Sequence, residues 1–258
     1  MHFNSSFFKN LLILALVIFL SACGKDDGTT PPAEGDKSLN LGSVGSSAND
    51  LLSEANYSSI VVEIQYAAGF PPPQASINYL REFLNARLNK PGGITINVVE
   101  VAAPGQATYS LSDLRGIEDE QRTEFTSGSK IAAYFYFADG DYAENSNVLG
   151  VAHRNTSMVI FQKRIEELSG GVGQVSTSLL TSSVMGHEFA HILGLVNIGS
   201  PMQNAHQDDA NGAHCDNQDC LMYFAVENSS GLSDLLGMSS PPPLDANCLA
   251  DLSANGGK

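Results

Sequence analysis

Apolar positions along the chain fall into blocks whose spacing predicts the elements. Ser59 to Tyr66 is β-branched and apolar enough for a largely buried strand, broken off by Pro71, Pro72 and Pro73. From Ala75 to Asn89 the apolar side chains recur at Ile77, Leu80, Leu84 and Leu88. They form one helical stripe, closed by Pro91, Gly92 and Gly93. Ile94 to Val101 is a second strand. Strand, helix and strand at this spacing predict a parallel pair joined by a crossover helix. A short helix follows over Ser112 to Arg122, capped by Ser110 or Ser112. Lys130 to Phe137, strongly apolar, predicts a central strand. Val148 to Ala152 and Ser157 to Phe161 are two more strands. Only Arg154, Asn155 and Thr156 clearly separate them, too little for a crossover helix, so the pair is antiparallel. Gln174 to Leu195 is a long helix with a Ser/Thr-rich first turn, and the tail is irregular except for a short helix near Leu232 to Leu236. The order β-α-β-β-β-β-α, without internal repeats, predicts one α/β domain with a mixed sheet.

The start of the chain follows another pattern. Lys9 precedes ten consecutive apolar residues, Leu11 to Leu20, and then the small Ser21 and Ala22. A basic flank, a short apolar run and small residues form a signal-peptide pattern, and the run is too short to span a bilayer comfortably. Leu20, Ser21, Ala22 and Cys23 resemble a bacterial lipobox. The resemblance implies a signal peptide over residues 1–22, removed to leave Cys23 as a lipidated N-terminus. Several acyl chains on Cys23 would hold the protein at a membrane, where a single chain anchors only marginally. Gly24, Lys25, Asp26 and Asp27 resemble the Lys-plus-acidic signal that sends some lipoproteins to the outer face of the outer membrane; a plain charged linker has the same composition. From Gly28 to Ala48 the chain is rich in Gly, Ser, Thr and Pro, the composition of a tether. The expectation is a lipidated Cys and flexible tether over 23–50 and a folded domain over 51–258, placed in the cell envelope.

Charge narrows the partners. The 258 residues carry 28 Asp and Glu against 13 Lys and Arg. A nucleic acid would meet a repelling field, and no run of Lys or Arg offers a local exception. With Cys23 lipidated, Cys215, Cys220 and Cys248 remain in a compartment where disulfides survive. Cys215 and Cys220 could pair across a tight loop, or Cys248 could take either partner.

Candidate chemistry lies on the last long helix, in His187, Glu188, Phe189, Ala190 and His191. Histidines four apart lie one above the other on a helix face, so both imidazoles can reach one ion. Glu188 is turned aside, where its carboxylate can reach a water beside the metal. Zinc suits imidazole nitrogen and keeps a fourth position open when three protein ligands hold it. The flanking Val184, Met185, Phe189, Ile192, Leu193 and Leu195 are apolar, a setting that disfavours unpaired imidazoles.

Extended through Gly194 to Asn197, this string resembles the metzincin signature, in which a Gly lets the helix stop and turn sharply. Metzincins carry a His or Asp ligand three residues after that Gly; here the slot holds Asn197, a poor zinc ligand. Downstream, His214, Cys215, Cys220 and Met222 resemble the archaemetzincin pattern of third ligand, two cysteines and the methionine of the Met-turn. The resemblance implies His214 as third ligand, with His206 as the alternative and then Asp208 or Asp209, and Met222 as a support beneath the imidazoles. Archaemetzincins bind a second zinc with a further pair of cysteines. Only Cys248 follows here, so a Cys215–Cys220 disulfide is expected instead. Tyr223 could hydrogen-bond an oxyanion, as a tyrosine near the Met-turn does in some relatives.

The family further implies a five-stranded mixed, mostly parallel sheet packed on the zinc helix, with one antiparallel edge strand near Val148 to Ala152 that holds an extended peptide. The expected activity is peptide-bond hydrolysis with Glu188 as general base and Zn2+ as cofactor, acting on a protein or peptide. One rival is a gluzincin-type peptidase with Glu227 as third ligand. The other is a non-enzymatic surface lipoprotein that binds a partner, for which an intact Glu188 would be unnecessary.

Overall fold

The structure, a computed structural model, describes residues 36 to 258; the expected signal peptide over 1–22 and Cys23 lie outside the described residues. The regular elements in chain order are α1 (Ala48–Leu52), β1 (Ser59–Ala67), α2 (Gln74–Arg87), β2 (Ile94–Val101), β3 (Thr108–Tyr109), α3 (Leu111–Gln121) and β4 (Lys130–Phe137). Then come β5 (Asp141–Tyr142), β6 (Gly150–Arg154), β7 (Ser157–Ile160), α4 (Gln162–Leu168), α5 (Thr177–Ile192) and α6 (Ala246–Ala254). Five strands form a mixed sheet in the order β2-β1-β4-β7-β6. Every pairing is parallel except that of the edge strand β6 with β7. Strands β3 and β5 form a separate two-stranded parallel ribbon.

Side-chain alternation on β4 explains the layers. Ile131, Ala133, Phe135 and Phe137 join the larger core with Leu80 and Leu84 of α2 and Val184, Met185 and Phe189 of α5. Tyr134 and Tyr136 point the other way, into a smaller cluster with Leu114 and Ile117 of α3. Both faces are therefore covered, which is why β4 is apolar almost throughout. As expected, α2 is the crossover between parallel β1 and β2, and β6 and β7 are antiparallel. Ser110 caps α3 in a reciprocal capping box with Asp113.

Three expectations are corrected. Residues 36–50, which composition assigns to a tether, are folded onto the domain. Asn40 is fully buried and its Nδ2 donates to Thr126 Oγ1, Ala132 O and Thr156 Oγ1 at 3.0–3.1 Å. Leu51 and Leu52 of α1 enter the main core. That attachment is made largely by hydrogen bonds, so apolar periodicity does not reveal it. The helix expected near Leu232 to Leu236 is absent; two 3-10 turns, Phe224–Glu227 and Ser229–Gly231, precede that segment instead. The tail is also less irregular than expected, since Asp245 caps α6 by accepting from the Cys248 N–H at 2.9 Å.

Candidate metal centre

Helix α5 runs through the interior, and every residue from Leu179 to Ile192 is buried. Its buried hydroxyls are satisfied, Thr181 by donating to Gln162 Oε1 and two serines within the helix. Ser182 and Ser183 hydroxyls donate to the carbonyls of Ser178 and Leu179, four residues back. The helix stops at a Schellman motif, with Leu195 N–H donating to Ala190 O and Gly194 N–H to His191 O. Gly194 has φ +78°, and a Cβ there would lie 2.5 Å from Ser200 N, so conformation and space both demand glycine. Val196 and Asn197 continue in the left-handed region, at φ 53° and 68°. This sharp exit is closed by Ser200, whose N–H donates to Gly194 O and whose Oγ donates to Leu193 O.

The structure brings three imidazoles together. His191 Nε2 lies 3.1 Å from His187 Nε2, and the rings of His187, His191 and His214 have centroids 4.8–5.2 Å apart. His187 Nδ1 donates to Leu221 O and His214 Nδ1 to Asn211 O, both at 2.7 Å. Carbonyls accept only, so those two rings carry their proton on Nδ1 and turn an unprotonated Nε2 inward. Across the 3.1 Å gap His191 Nε2 can donate to His187 Nε2, or both nitrogens can share a cation. His214 Nε2 is buried without a hydrogen-bond partner, as are both carboxylate oxygens of Glu188. Burial, and then the nearby Glu227 carboxylate, pushes Glu188 well above the ordinary carboxylate range. Burial and His187 hold His191 well below the ordinary imidazole value. A bound cation would remove each of these penalties, and the donor set of neutral imidazoles fits zinc.

Glu188 points at the sheet edge. A Cβ on Gly150, the first residue of β6, would lie 2.7 Å from Glu188 Oε1, so only glycine leaves room for the carboxylate there. Glu227 joins the same group as the three histidines; its carboxylate lies 3.4–3.8 Å from their Nε2 atoms. Burial opposes its charge; protonated His187 and His214 more than offset this and hold it well below the ordinary range, the part a cation would take over between neutral imidazoles. Sequence reasoning had Glu227 only as a rival third ligand. Neither Asp208 nor Asp209 belongs to the group. Met222 is fully buried in the main core, between Leu221, whose carbonyl orients His187, and the half-buried Tyr223.

His206, the alternative third ligand, lies in a second cluster. There it groups with Cys215, Asp245 and Cys248, with Cys220 beside Cys248; the three cysteines are free thiols and not the disulfide expected for Cys215 and Cys220. His206 Nδ1 lies 3.4 Å from Cys215 Sγ and 4.0 Å from Cys248 Sγ, and Cys220 Sγ lies 3.7 Å from Cys248 Sγ. Cys220 Sγ also faces the N–H groups of Met222 and Asp245, each at 3.4 Å. Hydrogen bonds from Cys215 and Cys248, together with these N–H groups, bring the Cys220 thiol down to about 4. His206 Nε2 pairs with the buried Asp251 at 2.8 Å, the carboxylate–histidine arrangement that orients metal ligands. Asp251 follows Cys248 by three residues on α6. That spacing places both on one helix face, but the signal is readable only once α6 is known.

These features define a mixed α/β domain with a buried His-rich centre able to hold a metal. The sequence matches no protein-family model and no protein of curated function. Among solved structures, the chain is similar to the archaemetzincin of Methanopyrus kandleri, with 14% identity over 78% of this chain and 96% of that one and a TM-score of 0.49. It is also similar to metalloproteinase-II from Bacteroides fragilis, with 16% identity over 78% of this chain and 54% of that one and a TM-score of 0.43.

Proposed function

We propose that this chain is a zinc-dependent endopeptidase, with His187, His191 and His214 as metal ligands and Glu188 as general base, held at the cell envelope by a lipid anchor on Cys23. One observation carries this: three imidazole nitrogens converge beside a buried, unpartnered carboxylate next to the first of them on the same helix. Zinc, when bound, would polarise a carbonyl and lower the pKa of a water to about 7. Glu188 takes the proton of the attacking water and hands it to the leaving amine. The β6 edge offers backbone groups along which an extended peptide can lie irrespective of its sequence, so the substrate class is protein or peptide. The His206, Cys215, Asp245 and Cys248 set, with Cys220 beside Cys248, suits a second, structural zinc held by four protein ligands.

A quenched-peptide mixture, with and without a chelator, tests the activity. Glu188→Gln should keep its zinc and lose about 10²–10⁴-fold in kcat/KM; turnover at the wild-type rate would refute the general-base role. His187→Ala should lose both metal and activity. The anchor is tested separately by Cys23→Ser, which should move the protein out of the membrane fraction; if the variant stays there, the lipid anchor is wrong.

A further inference from the structure

Glu227 has no task in the hydrolysis just described, yet it occupies the centre. Its carboxylate lies 3.5 Å from His187 Nε2, 3.8 Å from His191 Nε2 and 3.4 Å from His214 Nε2. Donors 2.0–2.1 Å from a zinc ion stand roughly 3.3 Å apart in a tetrahedron, so the carboxylate stands near the fourth vertex. The backbone around it is stitched to the sheet edge just ahead of β6. Leu149 N–H donates to Glu227 O at 2.7 Å and Ser229 N–H to Asn147 O at 2.8 Å, and Val148 and Asn228 form an antiparallel bridge. Ser229 Oγ adds a bond to Asn147 Oδ1 at 3.0 Å. An extended peptide joining this edge would use the same backbone groups.

We propose that Glu227 is a fourth protein ligand of the catalytic ion, and that residues 224–231 form a strap that keeps the site latent until an incoming peptide displaces it from the edge at 147–149. This rests on the peptidase reading and concerns how that site is controlled. Four protein ligands close a zinc site, whereas three leave a position open. The strap can give way because few bonds hold it to the edge and because space lies behind it. Ala225, Val226 and Gly231 line a cavity of about 420 Å3 whose wall includes Leu235 and Pro243 but none of the three histidines. Glu227 itself keeps 22% of its side chain exposed, so it is reachable from solvent.

Cobalt substitution reads the coordination without any need for turnover. In the full chain loaded with cobalt(II), acetohydroxamate should leave the visible spectrum of the wild type unchanged at concentrations that saturate Glu227→Gln and Glu227→Ala. The same variants loaded with zinc should cleave the quenched-peptide mixture at least tenfold faster than wild type in kcat/KM. Equal acetohydroxamate affinity in wild type and Glu227→Gln overturns the proposal. If the variants open the cobalt centre but cleave nothing, Glu227 stands as a ligand, while the peptidase reading and the latency built on it fall. Glu227→Gln keeps the shape of the side chain, so a folding defect in the alanine variant does not spoil the comparison.

Discussion

His153 on β6 has both ring nitrogens buried without a hydrogen-bond partner, and Nδ1 lies 3.9 Å from Glu118 Oε2. Burial, reinforced by Arg154, Arg115 and Arg122, brings it from 6.5 down to about 3. Between those values the unfolded chain binds a proton that the folded chain does not. Stability is therefore intact above pH 6.5 and falls as the pH drops towards 3. By pH 4.5 the loss from this side chain amounts to about 2–3 kcal/mol. Urea midpoints measured from pH 4 to 8 should fall more steeply for the wild type than for His153→Phe; parallel curves would remove the assignment. At this scale the sequence was legible where spacing alone encodes chemistry, as in His187, Glu188 and His191. For Glu227 it offered only a rival third ligand, and for Asp251 nothing, because a lone carboxylate acquires a role only from what surrounds it.

Elements were legible in proportion to their apolar content. The limits of β2 and β4 were read directly, and β1 within a residue: β1 and β4 fill a core, and the exposed edge strand β2 still carries a β-branched run bounded by Gly93 and Pro104. The seven-residue α4 and the C-terminal α6 escaped notice, since one or two turns give too few repeats of the helical period. The helix–loop junction at Gly194 is where an element meets the site. Gly194→Ala would strain a left-handed residue and press a methyl group towards Ser200 N. We expect a loss of at least about 2 kcal/mol and weaker metal retention, because the last turn of the helix, which carries His191, shifts. A variant with an unchanged urea midpoint and full zinc content would show that the turn tolerates a side chain.

Across the whole molecule, the second cluster joins the loop bearing His206 to the segment from Cys215 to Cys220 and to α6. His214 immediately precedes Cys215, so an ion there would also fix the loop that supplies the third imidazole. Metal analysis of the purified chain should find two equivalents of zinc. Cys248→Ser should keep one and melt several degrees lower, and thiol reagents should reach the cysteines only after chelation. A single equivalent in the wild type, or a mass 2 Da short from a disulfide, would contradict a second ion.

The sequence by itself determined the sheet's apolar strands, the crossover, the long helix α5 and the pair of histidines on it, because each depends on periodicity within a short window. Tertiary structure alone decided that Asn40 belongs to the core, that His206 joins the cysteines, and that Glu227 reaches all three imidazoles. Those outcomes depend on distances between residues tens of positions apart, and such distances are set by how whole elements pack.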